Sequence, residues 1–196
     1  MIYAHKLKKI MEEGGGVEDR RMKMKAMVAI DESEGSFYAL KWALDNFFSN
    51  ISIDNNDNNN EEGSIMVYLV NVQPKFQQHI YPVGVAGAAF YPATAVMESV
   101  RKAQEERSAA ILSKASKMCK DKMVKAESII LNGDPREMIC QAAEQMNVNL
   151  LVIGSRGLGT IKRAFLGSVS DYCAHHVKIP IVIVKPPPED QTKKQH

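Results

Sequence analysis

Two hydrophobic patterns alternate along this chain. Five short runs are almost continuously apolar and rich in Val, Ile and Leu. Such runs are typical of strands that are covered on both faces, as in a parallel sheet between layers of helices. The predicted strands are Met24–Ile30, Ile65–Val72, Ser128–Leu131, Leu150–Ile153 and Ile181–Val184.

Between these runs, apolar residues recur at steps of three and four, which is the spacing of one helix face. The four predicted faces carry Phe37, Leu40, Leu44, Phe47 and Phe48; Met97, Val100, Ala103, Ile111, Ala115 and Met118; Met138, Ile139, Ala142, Ala143 and Met146; and Val169, Tyr172, Cys173, His176 and Val177. Strands and helices alternate throughout. This order predicts an α/β fold: a single-domain, three-layer α/β/α sandwich around a five-stranded parallel sheet, Rossmann-like in type.

The length of 196 residues fits one domain with polar ends. We expect the domain to span 24–185. Residues 1–23, with three consecutive glycines, and the proline-rich residues 186–196 are predicted to be mobile tails. Residues 50–63 include the polar run Asn55–Asn60, which has nothing apolar to bury, and are predicted to form a disordered surface insert.

Composition argues against several classes of protein. The net charge is only +2 and basic residues are mixed with acidic ones, so we expect no nucleic-acid binding. No apolar run approaches the roughly 20 residues that span a bilayer, and no signal or transit peptide is recognisable. We therefore expect a cytoplasmic or nuclear protein. Its three cysteines are predicted to be buried thiols: Cys119, Cys140 and Cys173.

A glycine-rich stretch follows the fourth predicted strand. Gly154–Gly157 come directly after it, and Gly167–Ser168 open the last predicted helix. Ligands of open parallel sheets bind beyond the carboxyl ends of the strands, and a helix N-terminus attracts phosphate. We predict that Ser168 is the N-cap and that Asp171 closes a capping box. Neither a P-loop nor a dinucleotide-binding fingerprint is present, so an ordinary turn and a phosphate site both remain open.

The spacing of these glycines carries a resemblance. The run Gly154-x2-Gly157-x9-Gly167-Ser168 matches the pattern G-x2-G-x9-G-[ST] of the universal stress protein family. The chain is similar to that family from Met24 to about Val184, in the segments MVAIDES, VNVQP, NGDPREMI, LLVIGSRGLG, FLGSVSDY and KIPIVIVK. Its insert and proline-rich end are similar to those of plant members. The resemblance implies an adenine nucleotide alpha hydrolase-like fold with strand order 3-2-1-4-5.

That order also follows if strands one and four are neighbours whose crossovers leave in opposite directions, because their carboxyl ends then form the ligand crevice. Asp31 follows strand one and Gly154 follows strand four. Taken alone, Asp31 could equally be a helix N-cap or a turn residue.

The resemblance also implies a role for each residue of the site. Asp31 would recognise the adenine-ribose portion, Ala29 and Ile30 would line the base pocket, and the backbone of Val72 would read the adenine edge. Gly154 would pack near the ribose. The residues expected to cradle the phosphates are Gly157, Gly167, Ser168, Val169 and Ser170, and Ser155 is expected within the same nucleotide site. Independently of the resemblance, Arg156 would add a mobile positive charge there.

The ligand that the resemblance implies is ATP or AMP, with Mg²⁺ or Mn²⁺ as the ion that would accompany ATP. No positioned general base, Walker lysine or paired carboxylates accompany the phosphate loop, and Asp31 alone is a weak metal site. We therefore expect a stress-response or signalling module that acts by binding and has no catalytic residues. The alternatives are a slow ATP-hydrolysing enzyme and a dimeric scaffold with a vestigial nucleotide site. A homodimer is expected through the edge of strand 181–184.

Three other features allow functional interpretations. Of His175 and His176, one is expected to face the core and the other solvent. The loop 78–92 could be a lid on the nucleotide, a dimer surface or simple packing. The pair Lys162–Arg163 is expected to be a solvated turn.

Overall fold

The structure, a computed structural model, describes residues 22–48, 64–74, 81–82, 89–90, 94–155 and 166–187. Its elements in chain order are β1 Met22–Ala29, α1 Glu34–Ala43, β2 Ser64–Gln73, β3 Tyr81–Pro82, β4 Ala89–Phe90, α2 Thr94–Asp121, β5 Lys125–Asn132, α3 Pro135–Gln145, β6 Leu150–Gly154, α4 Ser168–His176 and β7 Ile181–Val184. Residues 1–21 of the predicted N-terminal tail, the Asn-rich run and Lys162–Arg163 lie outside the described residues. The last two residues assigned to that tail, Met22 and Lys23, instead begin β1.

Five strands form one parallel sheet in the order β5-β2-β1-β6-β7. Counting only these strands, the order is 3-2-1-4-5, which confirms the prediction. The chain runs outward from β1 to β2 and β5 and then crosses back to β6, on the other side of β1. The strand order therefore reverses between β1 and β6, where open parallel sheets bind ligands.

Helices cover both faces of this sheet. α1 and α2 pack on one face and α3 and α4 on the other, so the predicted three-layer sandwich is confirmed. Alternate residues of neighbouring strands enter the two cores: Val28 and Val152 the first, Met27 and Leu151 the second. All four are completely buried, which explains why the strands are apolar without alternation.

The predicted faces of α1 and α2 differ in detail from the observed ones. α1 continues into a π-helical turn, Leu44–Phe48, whose wider winding leaves Phe47 exposed while Phe48 is buried. In α2, Ala103 is exposed, and the buried stripe is Ser108, Leu112, Ala115 and Cys119. The sequence analysis predicted a neighbouring stripe of this helix because it considered only typical apolar residues. The buried stripe also contains Ser108 and Cys119.

The structure settles several smaller expectations. All three cysteines are buried thiols, as predicted. Both His175 and His176 are exposed, so the expectation that one of them faces the core is wrong. Within the loop 78–92, for which no strand was predicted, the two-residue strands β3 and β4 pair antiparallel, and most of that loop lies outside the described residues. Among the helices that are described, none has the length and apolarity needed to cross a membrane.

Candidate functional site

The strands β1 and β6 separate at their carboxyl ends. Their ladder ends at the pair Val28–Val152, although β6 continues to Gly154. The end of β1 stays with β2 instead, because the N–H of Ile30 donates to the carbonyl oxygen of Val70 at 2.8 Å. A crevice therefore opens where the strand order reverses.

A buried amide fixes the β1 side of this crevice. The Nδ2 atom of Asn71, a residue only 5% exposed, donates to the carbonyl oxygen of Ile30 at 2.8 Å. This bond ties the last residue before Asp31 to β2. The sequence prediction missed Asn71, although a polar residue inside the apolar run Ile65–Val72 is a signal that could have found it.

Asp31 is half-buried and held in a defined turn. Its Oδ1 atom accepts a hydrogen bond from the N–H of Ser33 at 3.0 Å and another from the Ser33 hydroxyl. Its N–H donates to the Ser36 hydroxyl at 3.2 Å. The N-cap of α1 is Ser33, whose hydroxyl accepts from the N–H of Ser36 at 3.2 Å. Of the two local interpretations of Asp31, the turn residue is therefore correct and the N-cap is wrong.

Gly154 lies against the first turn of α1. A Cβ atom at this position would lie 2.8 Å from the carbonyl oxygen of Gly35 and 3.2 Å from the nitrogen of Ser36. Only glycine permits this backbone approach. Because Ser36 also bonds to Asp31, the start of α1 brings the two predicted site residues Asp31 and Gly154 together.

The residues on either side of segment 156–165 are joined at the end of β6. The N–H of Gly167 donates to the carbonyl oxygen of Ser155 at 2.7 Å, and Ser155 in turn donates to Val184 at 2.8 Å. The buried Ser170 hydroxyl lies 3.0 Å from the carbonyl oxygens of both Ser155 and Gly167 and can donate to one at a time. The start of α4 is thereby fixed at the crevice.

The N-terminus of α4 has a glycine cap. The N-cap is Gly167, and within the described chain no side chain caps this helix. Ser168 is already the first helical residue and is exposed, so the predicted capping box of Ser168 and Asp171 is wrong. By contrast, α1 and α3 are capped by the side chains of Ser33 and Asp134. The N–H groups and positive dipole end of α4 therefore suit an external anion.

The other predicted site residues that the structure describes are divided between the two cores of the sheet. Ala29 and Ile30 are buried on opposite faces of the sheet, and the half-buried Val72 packs on the same side as Ala29. Val169 is half-buried against the same core. Arg156 and Gly157 lie outside the described residues, so their predicted contacts remain predictions.

Long side chains connect α2 to the crevice, and the sequence prediction did not include them. Arg107 pairs with Glu32, the neighbour of Asp31. The Nε2 atom of Gln73, at the end of β2, donates to the Gln104 carbonyl oxygen at 3.1 Å and to the Ser108 hydroxyl at 2.9 Å. The ten residues of α2 before Gln104, about 15 Å of helix, therefore extend beyond the carboxyl edge of the sheet.

The cap of α3 and the buried cysteines have shifted pKa values. The Arg136 guanidinium beside Asp134 holds the pKa of that carboxyl below its usual value. Burial raises the pKa of the Cys119 thiol to about 11 and that of Cys173 to about 12. In the part of the chain that the structure describes, no three His, Cys, Asp or Glu residues cluster as metal ligands would.

The fold is that of a Rossmann-like α/β protein, and its strand order reverses between β1 and β6, where such folds bind ligands. Residues 22–185 match the family model described as "Universal stress protein family". The chain belongs to the universal stress protein family.

Its relatives include plant members of that family. It is 31% identical over 179 residues to Universal stress protein PHOS34 of Arabidopsis thaliana, a match covering 82% of this chain and 61% of that protein. It is 39% identical over 67 residues to Universal stress protein A-like protein of Arabidopsis thaliana, covering 34% and 38%. The chain thus spans less than two thirds of the length of these relatives.

Solved structures have the same fold. A universal stress protein family protein from Arabidopsis thaliana, solved with AMP bound, has a TM-score of 0.56 at 24% identity, over 84% of this chain and 93% of that chain. Universal stress protein UspA from Lactobacillus plantarum has a TM-score of 0.60 at 15% identity, over 83% and 98%. These likenesses confirm the predicted nucleotide alpha hydrolase-like architecture.

Proposed function

We propose that this universal stress protein binds an adenine nucleotide, ATP or AMP, in the crevice between β1 and β6. The observation that carries the proposal is the N-terminus of α4, which has a glycine cap and is fixed at the crevice by the hydrogen bond from Gly167 to Ser155. A phosphate group would accept from its first-turn N–H groups, since these lack intrahelical partners.

The nucleotide would lie across the ends of β6, β1 and β2. The phosphates would contact α4 together with Arg156 and Gly157, and the ribose and adenine would extend past Asp31 towards Val72. The turn around Ser33 holds Asp31 in one orientation, which suits recognition of a ribose hydroxyl or the adenine edge. The Arabidopsis relative solved with AMP bound supports adenine as the base.

Isothermal titration with ATP, AMP, adenosine and GTP tests this proposal. ATP and AMP are expected to bind, adenosine more weakly because it lacks phosphate, and GTP more weakly because its base differs. Gly167→Val would place a branched side chain at the helix N-terminus, and its affinity for ATP is expected to fall at least tenfold. Gly167→Ala is the matched control with a smaller side chain. Equal affinity of the Val variant and the wild type for ATP would reject the assigned site.

The protein is proposed to act through the bound nucleotide, as a stress-response or signalling module, and not through rapid turnover. Mg²⁺ or Mn²⁺ would accompany ATP, with Asp31 as its candidate protein ligand. Phosphate release measured with each ion should stay at background. Saturable release that Gly167→Val abolishes would establish the alternative, a slow ATPase.

A homodimer through β7 is a second proposal. β7 (Ile181–Val184) is an edge strand that pairs with β6, and Ile181, Val182 and Ile183 are only half-buried. Exposed apolar edges favour pairing with a second copy. Sedimentation velocity should show a dimer at micromolar concentration, and a monomer there would reject the interface. We also propose a cytoplasmic or nuclear location, which a fluorescent fusion would test.

A further inference from the structure

One stripe of α3 makes three successive contacts across to α4 and the residues that follow it. The stripe consists of Arg136, Cys140 and Glu144, spaced by four residues and therefore on one face of the helix. Their partners are the ring of Tyr172 at 5.8 Å, the sulfur of Cys173 at 3.7 Å and the Nζ atom of Lys178 at 3.1 Å. The two cysteines are the middle contact of the three.

The two thiol sulfurs are in contact, 3.7 Å apart. Cys140 is 8% exposed and Cys173 is completely buried. Because the surrounding core restricts both side chains, the two sulfurs stay in contact. A disulfide needs a sulfur–sulfur distance of about 2.05 Å. A relative movement of less than about 2 Å between the two side chains reaches it, which a change of rotamer and a small helix shift can supply.

We propose that Cys140 and Cys173 are a modification site: peroxide converts them to a reversible disulfide that joins α3 to α4. The Cys140 sulfur, the more accessible of the two, attacks hydrogen peroxide, breaks its O–O bond and becomes a sulfenic acid, with release of water. The Cys173 sulfur then attacks the Cys140 sulfur, the S–O bond breaks and a second water leaves. In sum, two thiols and one peroxide give one disulfide and two waters, and a thiol reductant reverses the step.

Burial sets the rate of this reaction. The thiolate is the nucleophile, and burial raises the pKa of both Cys140 and Cys173, so little thiolate is present at neutral pH. The disulfide therefore forms slowly, under sustained peroxide, and its rate of formation rises with pH.

The disulfide also affects the site at the other end of α4, a consequence that rests on the proposed nucleotide binding. Cys173 lies five residues after Ser168, within the same short helix. A shift of Cys173 towards α3 would move α4 and strain the 2.7 Å hydrogen bond between its N-cap Gly167 and Ser155. Hydrogen bonds weaken steeply with misalignment, so we expect the oxidised protein to bind ATP about tenfold more weakly.

Cys119 provides an internal control. It is the one other cysteine in the sequence, is 1% exposed, and lies on α2 in the core on the opposite face of the sheet. Burial raises its pKa to about 11, so it shares the chemistry of the other two thiols. Cys119 has no cysteine neighbour, because the two other cysteines of the sequence contact each other.

The experiment treats the full chain and its Cys119→Ala variant with hydrogen peroxide, blocks the remaining thiols by alkylation and maps peptides by mass spectrometry. The expected product links the peptides of Cys140 and Cys173, runs as a monomer on a non-reducing gel and disappears with dithiothreitol. Sulfinic acids at these cysteines, or crosslinks that involve Cys119 or a second chain, would overturn the proposal.

Titration of the reduced and oxidised proteins with ATP separates the two claims. Tenfold weaker binding after oxidation that dithiothreitol restores, and that Cys140→Ala abolishes, supports the coupling to α4. Unchanged affinity despite a mapped disulfide overturns that coupling. If the reduced protein binds no nucleotide, the proposed function fails, and the peptide map alone still decides whether the disulfide forms.

Discussion

Ser155 and Gly167 hold the two ends of segment 156–165 together: the N–H of Gly167 donates to the carbonyl oxygen of Ser155 at 2.7 Å. Both groups belong to the backbone, so the bond itself does not require a glycine. The conformation of Gly167, with φ −70° and ψ 154°, is also open to other residues. The glycine therefore matters for the side chain that it lacks, which leaves the N-terminus of α4 uncovered.

Replacement of Gly167 by Asp should change stability and binding in opposite directions. An Asp side chain at the N-cap can accept from the first-turn N–H groups of α4 and adds favourable charge at the dipole, so the free energy of unfolding should rise by a few tenths of a kcal/mol or more. The same carboxylate occupies the position proposed for the phosphate group and repels its negative charge. Affinity for ATP should fall at least a hundredfold in calorimetry while the melting temperature is unchanged or higher.

Gly167→Asn is the matched control, because it caps the helix without charge. It should raise stability similarly and weaken ATP binding less than Asp. ATP affinity that survives in both variants would place the phosphates elsewhere.

Substitution of Gly154 by Ala should destabilise the fold. The new Cβ atom would lie 2.8 Å from the carbonyl oxygen of Gly35, so the first turn of α1 must move. Overpacking of this kind costs about 1–3 kcal/mol, measurable by urea unfolding. Gly167→Ala is the control, and it should lose much less. If Gly154→Ala is as stable as the wild type, the first turn of α1 moves to accommodate the Cβ atom without a loss of unfolding free energy.

Two substitutions of Asp31 separate its turn from its charge. Asn retains an Oδ1 acceptor for the N–H of Ser33, so unfolding free energy should change by less than about 0.5 kcal/mol; Ala removes the acceptor and should cost about 1 kcal/mol. Both variants lose the carboxylate, and both should weaken ATP binding about tenfold in calorimetry. An Asn variant with full affinity would mean that the charge of Asp31 takes no part.

The cap of α3 should give stability a component that depends on pH. The pKa of Asp134 is lowered by its hydrogen bonds to Arg136, so the folded state favours the carboxylate. Its contribution is complete above the ordinary pKa of an Asp, about 3.9, and is lost as pH falls through the lower folded value. Asp134→Ala should therefore lie below the wild type in stability at neutral pH and approach it in acid.

NMR titration of the Asp134 carboxyl measures the same effect directly and should give a value below that of exposed aspartates. Arg136→Ala should return it towards the ordinary value. A stability difference that is constant down to acid pH would contradict this account.

The sheet was predictable because strands buried on both faces are apolar throughout. The run Ile181–Val184 was predicted with its observed ends, and β3 and β4 were missed because a strand of two residues is too short to show a hydrophobic period.

Helix ends depend on single residues. The motif S-x-x-D favoured Ser168 as a cap, yet Gly167, whose N–H donates to Ser155, is the N-cap, so the helix begins one residue earlier.

The order of strands and helices, the two-sided core and the glycine spacing of the family could be predicted from the sequence alone, because these depend on local period and on residue type. Which residues contact each other depends on how the whole chain packs. Gly154 must be glycine because Gly35, more than a hundred residues earlier in the chain, packs against it, and Asn71 holds Ile30 across two strands. Cys140 and Cys173 are neighbours because α3 and α4 pack on the same face of the sheet. Such contacts arise from the packing of whole elements, and no local pattern records them.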